Sequence, residues 1–253
     1  MKYWYASAAN LLALSLLPLL IIQGKRTRRT TPRLPEAEGA RQGCTATLGK
    51  QSLSLLAIGE SPVAGVGVTQ QQEAITSCFA QALAMQQACQ VNWRALGKNG
   101  ATISDAIQQL LPQLTSQADI VLVAFGVNDT SAFRSLARFE RDLRQLLHRL
   151  IERCQPRLVL VSGLPPVGHL LALPQPLRSV LGLKAAALDA GMRSVLHAMR
   201  QVGQTELLYV PLAMSVSDTS LLASDGYHPS AKACQLWGES LAHAVSRYWV
   251  REN

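Results

Sequence analysis

From Leu53 onward, short apolar runs alternate with longer stretches in which apolar residues recur with helical spacing. The short runs Leu53–Ile58, Val91–Leu96, Ile120–Phe125, Leu158–Val161 and Leu207–Val210 predict five strands. The longer stretches Glu73–Gln90, Ser104–Leu114, Ala132–Arg153, Leu181–Val202 and Ala231–Trp249 predict helices. In the first of these Ala74, Cys78, Ala82 and Met85 share a face. In the third, Phe139, Leu143, Leu146, Leu147 and Leu150 do. The strand runs are continuously apolar rather than alternating, which implies burial on both faces. Strand–helix alternation then predicts an α/β domain: a three-layer α/β/α sandwich around a five-stranded parallel sheet. In such a sheet a site lies beyond the carboxyl ends of the strands.

The amino terminus has a different pattern. Residues Tyr3 to Gly24 carry no charge, and Leu11 to Ile22 are almost wholly aliphatic. A helix of that length spans about 33 Å, enough for a bilayer core of about 30 Å. Tyr3, Trp4 and Tyr5 lie at one end, and Lys25, Arg26, Arg28, Arg29 and Arg33 follow the other. The expectation is an N-terminal transmembrane helix within residues 1–24, with Pro18 tolerated inside it. Ile21-Ile22-Gln23-Gly24 makes a poor signal-peptide cleavage site, and no cysteine closely follows the run. The positive-inside bias predicts a single-pass protein of a bacterial-type inner membrane, its domain in the cytoplasm. Residues 25–51, rich in Arg, Thr, Pro, Gly and Glu without apolar periodicity, are expected to be a linker. The domain is expected over 52–253.

Composition narrows the function classes. The chain has 253 residues, 48% of them hydrophobic, so a large core is available. The net charge of +8 owes much to the five basic residues after the apolar run. Aromatics are only 5%, and no basic stripe with interleaved aromatics occurs, which argues against a nucleic-acid partner. The five cysteines, Cys44, Cys78, Cys89, Cys154 and Cys234, are odd in number and widely spaced. They do not make a disulfide framework; Cys78, Cys89, Cys154 and Cys234, inside apolar-periodic segments, are expected as small buried thiols, and no His/Glu or His/Cys cluster has metal-ligand spacing. Neither a metal nor a cofactor is expected. A nucleotide-binding reading lacks its loop: no G-x-x-x-x-G-K-[ST] occurs, and Ala64-Gly65-Val66-Gly67 does not complete G-x-G-x-x-G.

Four short blocks lie where the sheet rule points. Gly59-Glu60-Ser61 ends the first strand, where a serine at a strand-to-helix turn can expose its hydroxyl. Val63 stands where the nucleophile elbow G-x-S-x-G needs its last glycine, which argues against the α/β-hydrolase fold. Gly100, with Gly97 as its neighbouring candidate, follows the second strand and offers a backbone N–H. Gly126-Val127-Asn128-Asp129 follows the third, where Asn128 offers a side-chain donor. Asp225-Gly226-Tyr227-His228-Pro229 precedes the last helix. Pro229 biases His228 away from helical geometry, and Asp225 is placed to orient one ring nitrogen. Each block alone also serves as an ordinary turn or helix cap. His148, His197 and His243 fall within helices; His169, after Pro165-Pro166, is the rival base.

Together and in this order, the four blocks resemble the SGNH hydrolases, also called GDSL-like lipases and esterases, over about residues 52–250. The resemblance implies the compact sandwich of the SGNH, flavodoxin-like type and a serine ester hydrolase without cofactor. It implies Ser61 as nucleophile, His228 as base and Asp225 as its orienting acid. It implies an oxyanion hole from the N–H groups of Ser61 and Gly100 and the side chain of Asn128. One departure is plain: the usual aspartate before the nucleophile is Glu60 here. The expected substrates are small-molecule or lipid acyl esters, with lipid-derived ones favoured by proximity to a membrane. The acyl pocket is expected from the loops after Ser61 and between Leu164 and Leu181. A catalytically silent, membrane-tethered binding protein on the same fold is the alternative.

Overall fold

The computed structural model describes residues 2–46, 49, 51–212 and 218–252. Five parallel strands form the centre of the sheet: β2 (Ser52–Gly59), β3 (Gln90–Gly97), β4 (Ile120–Ala124), β5 (Leu158–Ser162) and β7 (Thr205–Val210). Two short antiparallel strands flank them. β1 (Gln42–Cys44) pairs with β3, and β6 (Gln201–Val202) pairs with β7. The order is β1-β3-β2-β4-β5-β7-β6, so the sheet is mixed rather than the purely parallel one expected. An open edge leaves backbone N–H and C=O groups unpaired, and both short strands satisfy an edge of this kind.

Every residue of β4 and β5 is buried. Side chains alternate between two cores, as the strand period requires. Val121, Val123, Val159 and Val161 meet Leu143, Leu146 and Leu150 of α7 (Leu136–Cys154) and Leu188 and Met192 of α8 (Leu177–Met199). Ile120, Leu122, Leu158 and Leu160 meet Phe79 and Leu83 of α4 (Ile75–Gln87) and Trp237, Leu241 and Val245 of α9 (Ala231–Glu252). Each fully buried side chain of this size contributes about 1.5–3 kcal/mol. Truncating Leu122 to alanine costs about 2–5 kcal/mol. Short helices complete the framework: α3 (Ser61–Ala64), α5 (Ile103–Asp105) and α6 (Val127–Ser131). The helix expected over Ser104–Leu114 is instead α5, one wide turn at Ala106–Leu110 and a tight turn at Leu111–Gln113. Pro112 explains the break, because it has no N–H and crowds the carbonyl four residues earlier.

The single apolar helix expected at the amino terminus is two helices, α1 (Lys2–Ser15) and α2 (Leu17–Thr30), bent by 91°. Pro18 sits in the first turn of α2 and starts it rather than continuing α1. Among the described residues no single helix is long and apolar enough to cross a membrane. α1 lies on α8. Lys2 Nζ meets Glu140 Oε1 at 2.7 Å and Ser194 Oγ at 2.9 Å. Gln23 of α2 donates to Gln175 O and accepts from Leu177 N. Leu20 packs with Leu177 and Val180. Tyr3, Trp4, Leu11, Leu14, Leu17 and Ile22 of the same two helices are exposed.

The stretch 25–51 is also more ordered than a free linker, though its residues 47, 48 and 50 lie outside the described residues. Lys25 to Arg29 are helical within α2. Glu38 bridges to Gln70, Glu36 accepts from Asn99 N at 2.7 Å, and Gln42–Cys44 form β1. Of the five cysteines, all free, Cys89, Cys154 and Cys234 are buried, Cys78 is partly buried and Cys44 is exposed.

Candidate active site

The turn that carries Ser61 is built by close packing. β2 ends at Gly59 and α3 begins at Ser61, with Pro62 in its first turn, and Ser61 is 8% exposed. Gly97, at the end of β3, lies against α3. A Cβ there would stand 2.2 Å from Ala64 N and 2.4 Å from Val63 C, so this position admits only glycine. Gly97 is therefore a packing residue for the Ser61 turn. Gly100 differs: it has φ +78° and open space where a Cβ would go. It lies in an exposed turn closed by Ala101 N donating to Lys98 O.

The loop before α9 holds Asp225 and His228 together. Asp225 Oδ2 lies 2.5 Å from His228 Nδ1, and Asp225 Oδ1 accepts from the N–H groups of Tyr227 and His228 at 2.9 and 3.0 Å. Burial pushes the Asp225 carboxyl up, but the His228 ring and the two N–H donors outweigh it and hold it below the usual range. The carboxylate is thus ionised and occupies Nδ1, which leaves Nε2 for a substrate-side partner. Pro229 keeps His228 in the loop, where Ala223 N donates to its carbonyl.

Ser61 and His228 line one narrow cavity of about 50 Å³ at the carboxyl ends of the strands. No hydrogen bond joins the two side chains to each other. Phe125, Leu164, Leu170, Leu212 and Trp237 supply apolar walls, and Trp237 Nε1 donates to Ser162 Oγ at 3.1 Å. Asp189 of α8 accepts from Leu164 N and from Tyr209 Oη, which anchors the Leu164 end of that wall. His169, the rival base, is exposed in a tight turn at Val167–His169 and does not line this cavity.

Asn128 is one residue into α6 and outside the cavity wall. Its Nδ2 donates to Glu60 Oε2 at 2.5 Å and to Ala101 O at 3.2 Å. Glu60 also accepts from Val127 N and Asn128 N, both at 2.9 Å. The turn carrying the serine is thereby tied through one carboxylate to the turn carrying the asparagine. The next residue, Asp129, is buried and accepts from Ile103 N at 3.0 Å, which fixes the Gly100 turn to α6.

Residues 57–236 match the GDSL-like lipase/acylhydrolase family. The chain belongs to this family. It is similar to a GDSL-like esterase of Mycobacterium tuberculosis, 25% identical over 197 residues. That match covers 76% of this chain and 61% of the relative, so the chain spans less than two thirds of that protein's length. Solved structures share the fold. An extracellular lipase from Streptomyces rimosus superposes with a TM-score of 0.57 at 15% identity, over 76% of this chain and 99% of the lipase. A psychrotrophic esterase from Pseudoalteromonas gives 0.57 at 16% identity, over 78% and 98%.

Within the GDSL-like frame, the residue that sequence reasoning undervalued is Glu60. It counted only as a departure beside the nucleophile, yet it is 3% exposed and makes three hydrogen bonds to the Val127–Asn128 turn. Burial raises its carboxyl to about 7, against the N–H donors of Asn128 and Val127 that lower it; the nearby Asp129 charge adds to the rise. Asp129 itself is raised to about 6, chiefly by burial. Tyr227, pushed up to about 12 by burial and by the Glu60 charge, lines the same cavity. Adjacency to a serine at a strand end was the signal available for Glu60. Its partners, 67 and 68 positions away in the chain, carried none.

Proposed function

We propose that this protein is a serine hydrolase that cleaves acyl esters through an acyl-enzyme on Ser61. The observation that carries this reading is a base held by an ionised acid in the same cavity as the serine. Ser61 Oγ attacks the ester carbonyl carbon while His228 Nε2 takes its proton. The tetrahedral oxyanion is met by the N–H groups of Ser61 and Gly100 and by the Asn128 amide, each donor contributing about 3 kcal/mol. The intermediate collapses, His228 gives the proton to the departing alcohol, and water repeats the sequence on the acyl group. Asp225 keeps the ring oriented and stabilises the imidazolium.

The apolar walls of the cavity that holds Ser61 and His228 suit the acyl part of an ester. A second observation supports attachment to a membrane. Residues 3–24 are free of charge, and they present exposed Leu11, Leu14, Leu17 and Ile22 next to the exposed bases Lys25, Arg26, Arg28 and Arg29. This arrangement favours lipid-derived esters as substrates by proximity. It also favours a cytoplasmic position for the domain, since basic residues are retained on that side.

The deciding experiment is labelling with a fluorophosphonate probe alongside hydrolysis of p-nitrophenyl acetate. The protein should be labelled and active, and Ser61→Ala should lose both. Labelling retained at another serine would refute the assignment of the nucleophile, and no labelling at all would refute the hydrolase.

A further inference from the structure

We propose that Glu60 is a positioning residue that controls the oxyanion hole: ionised, it holds the Asn128 amide; neutral, it releases that amide to the substrate. This rests on the ester-hydrolase reading above and asks what regulates that site.

A side-chain amide has two N–H donors. In this structure Asn128 directs one to Glu60 Oε2 and the other to Ala101 O. Neither remains for an oxyanion until one of these bonds is given up. The bond to Glu60 is charge-assisted when the carboxylate is ionised, and such bonds are roughly twice as strong as neutral ones. Ionised Glu60 therefore opposes catalysis in two ways. It competes for the donor, and it places a negative charge where a second negative charge must develop. A proton on Glu60 removes the charge and reduces the hold to an ordinary hydrogen bond.

The surroundings make this a titratable latch rather than a permanent one. Glu60 is buried and lines the cavity with Ser61 and His228. From α6 it faces Asp129, whose own charge is shared with Arg134 at 3.8 Å. From the loop before α9 it faces Tyr227, with ionised Asp225 behind His228. No described lysine or arginine pairs with Glu60 within 4 Å, so no cation holds it ionised. Burial accordingly brings its ionisation to about 7, inside the working range of an esterase.

The test is the pH profile of kcat/KM for p-nitrophenyl acetate from pH 5 to 9, corrected for spontaneous hydrolysis, in wild type, Glu60→Gln and Asn128→Ala. Wild type should lose roughly tenfold or more above about pH 7, because one oxyanion donor is worth about 10²–10³ in turnover. Glu60→Gln should be free of that alkaline limb. Asn128→Ala, which removes the group being held, should be slower throughout and keep only the shallower limb that the Glu60 charge produces by itself. The second variant keeps the test decisive if Glu60→Gln fails to fold. An alkaline limb of full wild-type depth in Asn128→Ala, or a wild type whose rate does not fall above pH 7, overturns the latch. In both cases fluorophosphonate labelling of Ser61 shows that the hydrolase reading survives; loss of labelling in wild type overturns both together.

Discussion

Asp225 and His228, three residues apart, are joined twice: carboxylate to ring at 2.5 Å through one oxygen, and carboxylate to the His228 N–H at 3.0 Å through the other. One carboxylate therefore orients the ring and shapes the loop that presents it. His228→Ala should lose nearly all hydrolytic activity. Asp225→Asn should lose much but less, because an amide still touches the ring yet favours the wrong tautomer. His169→Ala, on an exposed turn away from the cavity, should keep wild-type turnover. Steady-state rates on p-nitrophenyl butyrate distinguish the three. A dead His169→Ala beside an active His228→Ala would leave the Asp–His pair as only the start of a helix.

Asn128→Ala should lower kcat by about 10²–10³ with little change in KM, since the donor it removes acts on the transition state. An effect confined to KM would mean that Asn128 positions substrate instead. Circular dichroism should accompany the kinetics, because the same side chain also ties Glu60 to the Ala101 carbonyl.

Two buried carboxyls set a stability trend with pH. Asp129 is raised to about 6 and Glu60 to about 7, so each binds its proton more tightly in the folded chain than in the unfolded one. Their contribution is fully present below the unfolded values near 4 and is lost as pH rises through 6 and 7. On the order of 3 kcal/mol is at stake at each site. Thermal melts from pH 4 to 8 should show Tm falling across this interval. Asp129→Asn should flatten the part of the fall below about pH 6. A Tm that climbs steadily to pH 8 in wild type would contradict the burial argument.

Membrane attachment through α1 and α2 is open to a direct check. The full chain should sediment with membranes. A double substitution of exposed side chains, Leu11→Asp with Ile22→Asp, should move it to the soluble fraction while leaving turnover on p-nitrophenyl acetate unchanged. If the double variant stays with the membrane, another surface is responsible. A carboxyl-terminal alkaline phosphatase fusion that is active in a bacterial host would reverse the orientation without touching the attachment.

Gly97→Ala and Gly100→Ala should separate packing from presentation. The first drives a Cβ into the backbone of α3, should cost about 1–3 kcal/mol of stability, and should lower activity by shifting Ser61. The second meets no neighbour; it adds only the left-handed backbone cost of about 1–2 kcal/mol, and any loss of activity should appear in kcat. Denaturation midpoints and kcat measured on both variants make the comparison.

The five parallel strands and their enclosing helices were legible because each depends on periodicity within a short window. Continuous apolar runs such as Ile120–Ala124 have no stable place but between two helical layers. Ser61 and Asn128 were singled out by following a strand, and Asp225 and His228 by their three-residue spacing before a proline at the start of the last helix. The flanking strands β1 and β6, two or three residues long, escaped because pairing rather than composition creates them. The bend between α1 and α2 escaped because apolar length alone does not say whether a proline continues a helix or starts a new one. Glu60 is the sharpest case. Its residue type and its place beside the serine were open to inspection, but its chemistry comes from Val127 and Asn128, brought to it when β2 and β4 pair. The sequence by itself determined how strands and helices alternate and which side chains follow a strand or precede the last helix, because those follow from local pattern. Only the tertiary structure decided which of them touch, how deeply Glu60 is buried and where the amide of Asn128 is spent, because hydrogen bonding and desolvation depend on neighbours that chain order does not name.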